Sequence, residues 1–196
     1  EIVPNDFECT PLEQMFVIQG QNSSGKTCYS ISILLCILLN QIGMKIPARN
    51  AQIPIFHSLQ IRKDVQDNMF MGMSSFIQHM SDVGEILQDI SKNSEKHHFV
   101  FFDELASSTN STEGVALCES ILIHLVKQNV TCITSTHYKL RKDVTKQLKM
   151  LVTGVSERSD DMKPNFKVVN GSSLSNTLHS NAIDFVCRNT LLVDIF

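Results

Sequence analysis

The octapeptide Gly20-Gln21-Asn22-Ser23-Ser24-Gly25-Lys26-Thr27 constrains this chain more than any other feature. It fits GxxxxGK[ST] and directly follows the apolar run Met15-Phe16-Val17-Ile18. A strand is expected to deliver the chain into a glycine-bearing loop, and a helix to leave it at about Lys26. In such a turn the backbone N–H groups point inward and the positive end of the helix faces the same space, which suits an anion. Gly20 and Gly25 permit backbone angles and a closeness of approach that a Cβ would obstruct. Lys26 can reach the β- and γ-phosphates of a nucleoside triphosphate, and the Thr27 hydroxyl can ligate Mg²⁺. Gly20 to Thr27, with Cys28 next in line, is therefore the expected nucleotide-binding segment.

At 196 residues, with 42% hydrophobic and 19% charged residues, the chain suits one globular domain with a real core. A net charge of −3 gives no basic footprint for nucleic acid, so contact with DNA is expected to lie outside this chain or to be minor. The six cysteines form no CxxC pair, and four of them (Cys28, Cys36, Cys118, Cys132) fall in apolar runs. They read as small hydrophobes rather than as a zinc site or disulfide framework, which favours a reducing compartment. The longest largely apolar stretch, Ile31–Leu39, is too short to span a bilayer. The chain opens on Glu1 and reads as the C-terminal part of a longer protein.

Hydrophobic rhythm orders the elements. Met15–Gln19 reads as a strand and Lys26–Ile42 as a helix ended near Gly43. Ile53–Ile61 carries short extended stretches broken by Pro54. Over Ser74–Ile90 the apolar residues Phe76, Ile77, Met80, Val83, Ile86, Leu87 and Ile90 follow helical spacing. Phe99–Phe102 is a fully apolar run, as in a strand covered on both faces. Glu113–Gln128 is again helical, and Val130–Thr134 is β-branched. This alternation predicts a mostly parallel sheet flanked by helices. From about Met150 the pattern weakens to a polar loop (Ser156–Lys163), a strand (Phe166–Val169) and a last helix near Leu174–Phe185.

The Phe99–Phe102 strand ends in Asp103-Glu104, 77 residues beyond Lys26. In company with the phosphate loop, paired acids divide two tasks. Asp103 would hold Mg²⁺, directly or through water, while Glu104 would orient or deprotonate an attacking water, since a metal-bound carboxylate is a poor base. The next strand closes on Thr134-Ser135-Thr136-His137. A histidine at that end, beside a triphosphate, can donate a hydrogen bond to the γ-phosphate. The other histidines show no ligand spacing and read as surface or packing residues.

These segments together resemble the ATPase domain of the MutS family of DNA mismatch-repair and recombination proteins. Gly20–Thr27, with Asn22, is similar to the family's G-P-N-x-x-G-K-S loop. Asp67-Asn68 and Gly72-Met73-Ser74-Ser75-Phe76 resemble its D-[DN]-…-G-x-S-T-F segment. Asp103-Glu104-Leu105 through Thr109 and Glu113-Gly114 resembles D-E-[LI]-G-x-G-T-x-x-x-[DE]-G. Ser135-Thr136-His137-Tyr138 is similar to A-T-H-Y, and Val3-Pro4-Asn5-Asp6 also fits.

The resemblance implies an α/β P-loop NTPase, ABC-like, using ATP and Mg²⁺. It also implies a dimer with a second MutS-type subunit, and double-stranded or mismatched DNA bound through other domains. Ser74 would touch the triphosphate held by the partner, Asn22 would place the γ-phosphate or the water, and Phe166 would lie near the adenine. Location would be nuclear in a eukaryote and cytoplasmic otherwise, with no membrane.

The chain also departs from the pattern. Gln21 stands in place of Pro, Ser24 in place of a common Gly, and His79 where Glu is usual. Ala106-Ser107-Ser108 replaces a glycine-containing stretch at the dimer-facing loop. Three alternatives stay open: a recombination homologue, an ABC transporter or SMC-like ATPase (though no L-S-G-G-Q run is present), and a nucleotide-binding dimerisation module without turnover.

Overall fold

A computed structural model describes residues 3–20, 23–63, 75–107, 109–155 and 164–171. The expected helix at Leu174–Phe185 and residues Gln21, Asn22 and Ser74 lie outside them.

Six strands make one sheet: β1 (Met15–Gln19), β2 (Ser58–Arg62), β3 (His98–Phe102), β4 (Val130–Ser135), β5 (Lys149–Val155) and β6 (Pro164–Asn170). Their spatial order is β2-β3-β4-β1-β5-β6. The first four pairings are parallel and only β5–β6 is antiparallel. The central strands β1, β3 and β4 are buried along their whole length, in keeping with their largely apolar and β-branched sequences.

Alternate residues of these strands feed two separate cores. Phe16, Ile18, Phe99, Phe101 and Ile133 pack with Tyr29, Ile33 and Ile37 of helix α1 (Lys26–Gln41). Met15, Val17, Val100, Phe102 and Cys132 pack against the other two long helices, α2 (Ser75–Lys92) and α3 (Ser111–Val126). The period of two in a strand is what sends one helix to one face and two to the other.

Helix ends follow local chemistry. Beyond α1, Gly43 takes φ +74, its N–H bonds the Asn40 carbonyl at 3.0 Å, and Met44 N–H bonds the Leu39 carbonyl at 2.8 Å. This is the Schellman arrangement, which a left-handed residue after the helix permits. Asn110 caps α3, its Oδ1 accepting from the Glu113 N–H at 2.9 Å, while Thr109 donates to the Glu113 carboxylate at 3.0 Å.

Two elements were not foreseen. Where the pattern weakens, near Met150, the chain forms β5, which lies beside β1 in parallel, with Ile18 opposite Leu151. A single helical turn, α4 (Lys142–Thr145), precedes it. The expected strand at Phe166–Val169 is present within β6, and of the stretch Ile53–Ile61 only the part from Ser58 onward is strand.

The cysteines divide. Cys118 and Cys132 are buried, and burial pushes both thiols up, Cys118 to about 12. Cys28 is exposed and Cys36 half-buried, so only two of the four fill the core as expected. No described helix is long and apolar enough to cross a membrane.

Candidate functional site

Parallel strands put their carboxyl ends on one edge, and the loops leaving β1, β3 and β4 all emerge there. β1 runs into Gly20, whose φ of +156 and crowding leave no room for a side chain. A Cβ there would sit 1.8 Å from Thr153 Oγ1 on β5. Ser23 and Gly25 follow with φ +62 and +93, and Gly25 opens α1 without a side-chain cap. The first N–H groups of α1 therefore face the space enclosed by the loop.

Lys26, almost fully buried, turns back to donate to the Gly20 carbonyl at 2.9 Å. Burial lowers its pKa, while the charges of Glu104 and then Asp103 push the other way. Thr27 Oγ1 reaches both carboxylate oxygens of Asp103, at 3.0 and 3.1 Å. Residues 76 positions apart thus form one oxygen-rich pair at the mouth of the loop. A hydroxyl and a carboxylate are hard oxygen donors of the type that suits Mg²⁺.

Ser135, the last residue of β4, donates to Asp103 Oδ1 at 2.6 Å and accepts from the Glu104 N–H at 3.0 Å. Glu104 takes φ +53, and its carboxylate lies 4.0 Å from His137 Nδ1, both side chains partly open to solvent. Lys26, Thr27, Asp103, Glu104 and His137 are thereby brought together. Cys28 lies on the exposed side of α1.

Further contacts hold this arrangement in place. Ser24 Oγ is 2.6 Å from Thr153 Oγ1, which latches the loop to β5. Gln19 donates to the Tyr138 carbonyl at 2.7 Å. The Tyr138 hydroxyl donates to the Ala106 carbonyl at 2.7 Å, and it passes so close to α3 that only glycine fits at Gly114. Asn5, in the segment before β1, accepts from Val168 N–H and donates to the Phe166 carbonyl, each at 2.9 Å. Phe166 itself, at φ +55, has a ring carbon 3.2 Å from where a Gly25 Cβ would stand, so it lies against the phosphate-loop turn.

The sequence profile of MutS domain V matches residues 16–183. The chain is 34% identical over 150 residues to the DNA mismatch repair protein MutS of Lactococcus lactis subsp. cremoris, an alignment covering 76% of this chain and 17% of that protein. It is 36% identical over 124 residues to the DNA mismatch repair protein MSH3 of Yarrowia lipolytica, covering 63% and 12%. With the MutS protein homolog 4 of Candida albicans it shares 35% over 138 residues, covering 70% and 17%. The chain belongs to the MutS family and corresponds to its domain V. It spans roughly a sixth of the length of such relatives.

Proposed function

We propose that this chain is the ATP-binding and hydrolysing domain of a MutS-like DNA mismatch-repair protein, built as an ABC-like P-loop NTPase. Hydrolysis here would drive the conformational switch of a DNA-bound dimer after mismatch recognition. The observation that carries the reading is the convergence of Lys26, Thr27, Asp103 and Glu104 on one sheet edge, with Thr27 and Asp103 in contact.

The residues fit a divalent cation. Thr27 and Asp103 would hold Mg²⁺, which would neutralise phosphate charge when bound. Residues 20–28 would wrap the phosphates, with Asn22 helping to place the γ-phosphate or the attacking water. Lys26 would balance phosphate charge, and its withdrawal from water strengthens that interaction. Glu104 would take the proton of the attacking water. His137, beside it, would donate to the γ-phosphate and keep the acid turned inward. The degenerate-module alternative has less support, because no group needed for turnover is missing among these four.

Two parts of the reading come from outside the described residues. Ser74 would contact the nucleotide of a second MutS-type subunit, and DNA would be bound by domains beyond this chain. The protein would work in the nucleus of a eukaryote and otherwise in the cytoplasm.

Calorimetric ATP titration and phosphate release test the site. Lys26→Ala is expected to lose detectable ATP binding, because it removes the loop cation that meets concentrated phosphate charge. Glu104→Gln is expected to bind Mg·ATP normally while hydrolysing it about 100-fold more slowly. Equal ATP affinities for the parent and Lys26→Ala would remove this loop as the site. Mixed dimers of Ser74→Ala and Lys26→Ala subunits, each slow alone, should regain part of the rate. No regain in proven mixed dimers would remove the trans role of Ser74.

A further inference from the structure

We infer that Ser135 is a positioning residue for ATP hydrolysis, joining the two acids of the site through a single hydroxyl; the inference rests on the ATPase reading of that site. The hydrogen-bond directions are fixed by chemistry. An ionised carboxylate can only accept and a backbone N–H can only donate. Ser135 Oγ, 2.6 Å from Asp103 Oδ1 and 3.0 Å from Glu104 N, therefore gives its proton to Asp103 and takes the N–H of Glu104 on a lone pair. One side chain thus fixes Asp103 by its carboxylate and Glu104 by its backbone.

Both holds matter to the geometry. Glu104 occupies a left-handed conformation at φ +53, which is strained for a residue with a Cβ. A bond to its own N–H is a direct way to keep it there, and the carboxylate then points toward His137. Asp103 is otherwise tethered by Thr27, the hydroxyl assigned to the cation. Ser135 approaches from the neighbouring strand, so the carboxylate keeps a second anchor when Thr27 is engaged elsewhere. Ser135 is fully buried, so its hydroxyl is not in exchange with bulk water.

The A-T-H-Y pattern has alanine where this chain has Ser135, so Ser135→Ala is a change the fold should accept. In the intact polypeptide three quantities separate positioning from simple packing: the Mg²⁺ dependence and kcat of ATP hydrolysis, ATP affinity in excess EDTA, and the exchange rate of the Glu104 amide. Loss of a hydrogen bond to a charged group should raise the half-saturating Mg²⁺ concentration about tenfold and lower kcat by a similar factor. ATP affinity in EDTA should stay within about twofold, and the Glu104 amide should exchange about tenfold faster once its acceptor is removed. Ser135→Thr, which restores the hydroxyl, should recover each quantity.

An active parent whose Ser135→Ala variant keeps its kcat and Mg²⁺ dependence would overturn the inference. So would an equal loss of ATP affinity in EDTA, which would show general loosening of the loop. If the parent does not hydrolyse ATP while the Ser135→Ala amide still exchanges faster, the ATPase reading falls. Ser135 is then a structural clamp only.

Discussion

Gly114→Ala should destabilise the domain even though it improves the intrinsic helix propensity of α3. Alanine is better than glycine inside a helix by about 1 kcal/mol, so an open position would gain that much. Gly114 is not open. A Cβ there would lie 2.1 Å from the Tyr138 hydroxyl, 2.5 Å from its Cζ and 3.0 Å from the Ala106 carbonyl oxygen.

Tyr138 would have to retreat by more than 1 Å, and its 2.7 Å bond to the Ala106 carbonyl would break. Leaving that buried carbonyl without a partner costs about 1–3 kcal/mol, and overpacking a close-packed site adds a comparable amount. Set against the propensity gain, the net loss should be about 2–4 kcal/mol. With a urea slope near 2–3 kcal/mol/M for a domain of this size, the unfolding midpoint should fall by about 1 M. In a Tyr138→Ala background the same substitution should cost less than about 1 kcal/mol, because only the Ala106 carbonyl remains close. A Gly114→Ala midpoint at or above the parent's would refute the reasoning.

Ala106→Gly should shift stability by less than about 1 kcal/mol in the same titration, since relief of the strain at φ +63 is offset by loss of a fully buried methyl and by a freer unfolded chain. Tyr29→Phe should flatten the alkaline limb of stability. Burial, aided by the charge of Asp6, raises the Tyr29 hydroxyl to about 12 from 10, so the folded state holds this proton after the unfolded chain has released it. That contribution is whole below pH 10 and is lost as pH rises toward 12. The parent should therefore lose about 2–3 kcal/mol more than Tyr29→Phe across this window, as read by denaturant titration at stepped pH. Parallel curves for the two proteins would contradict it.

The parts of the fold that could be read in the sequence are those whose residues carry their own signal. The strands within Met15–Gln19, His98–Phe102 and Val130–Ser135 stood out because they are covered on both faces and hence rich in apolar and β-branched residues. β5 did not, because Lys149 at its start forms a 2.6 Å ion pair with Glu13 and Gly154 interrupts its β-branched run. α4 is a single turn and has no period to detect.

The same division holds at the site. Lys26, Thr27, Asp103, Glu104 and His137 are chemically conspicuous at characteristic spacings. Ser135 and Thr153 are ordinary hydroxyl residues whose roles depend on sheet order. Ser135 faces Asp103 only because Phe102 pairs with Thr134, and Thr153 meets Ser24 only because β5 lies beside β1. Gly114 was visible as part of a motif, but its reason lies in the Tyr138 ring, 24 residues away.

The glycine-poor turn after Asp103 shows how the chain keeps a glycine-like shape without glycine. Glu104 and Ala106 both take left-handed angles, each costing about 1–2 kcal/mol for a residue with a Cβ. Each is offset by a bond from the end of β4 or the segment just after it, Glu104 N–H to Ser135 and Ala106 carbonyl from Tyr138. The Ser107 N–H bond to the Glu104 carbonyl, at 3.1 Å, closes the turn between them.

Both anchors belong to the stretch Ser135–Tyr138, which also carries His137 and is tied to the phosphate-loop strand by Gln19. A displacement of His137 would therefore pull on Ser135 and Tyr138, and through them on Glu104 and Ala106. Where free glycines would let the acid turn move independently of the histidine strand, this chain couples the two. The departure at Ala106 and Ser107 thus stiffens the turn, making the placement of the acids depend on the strand beside them.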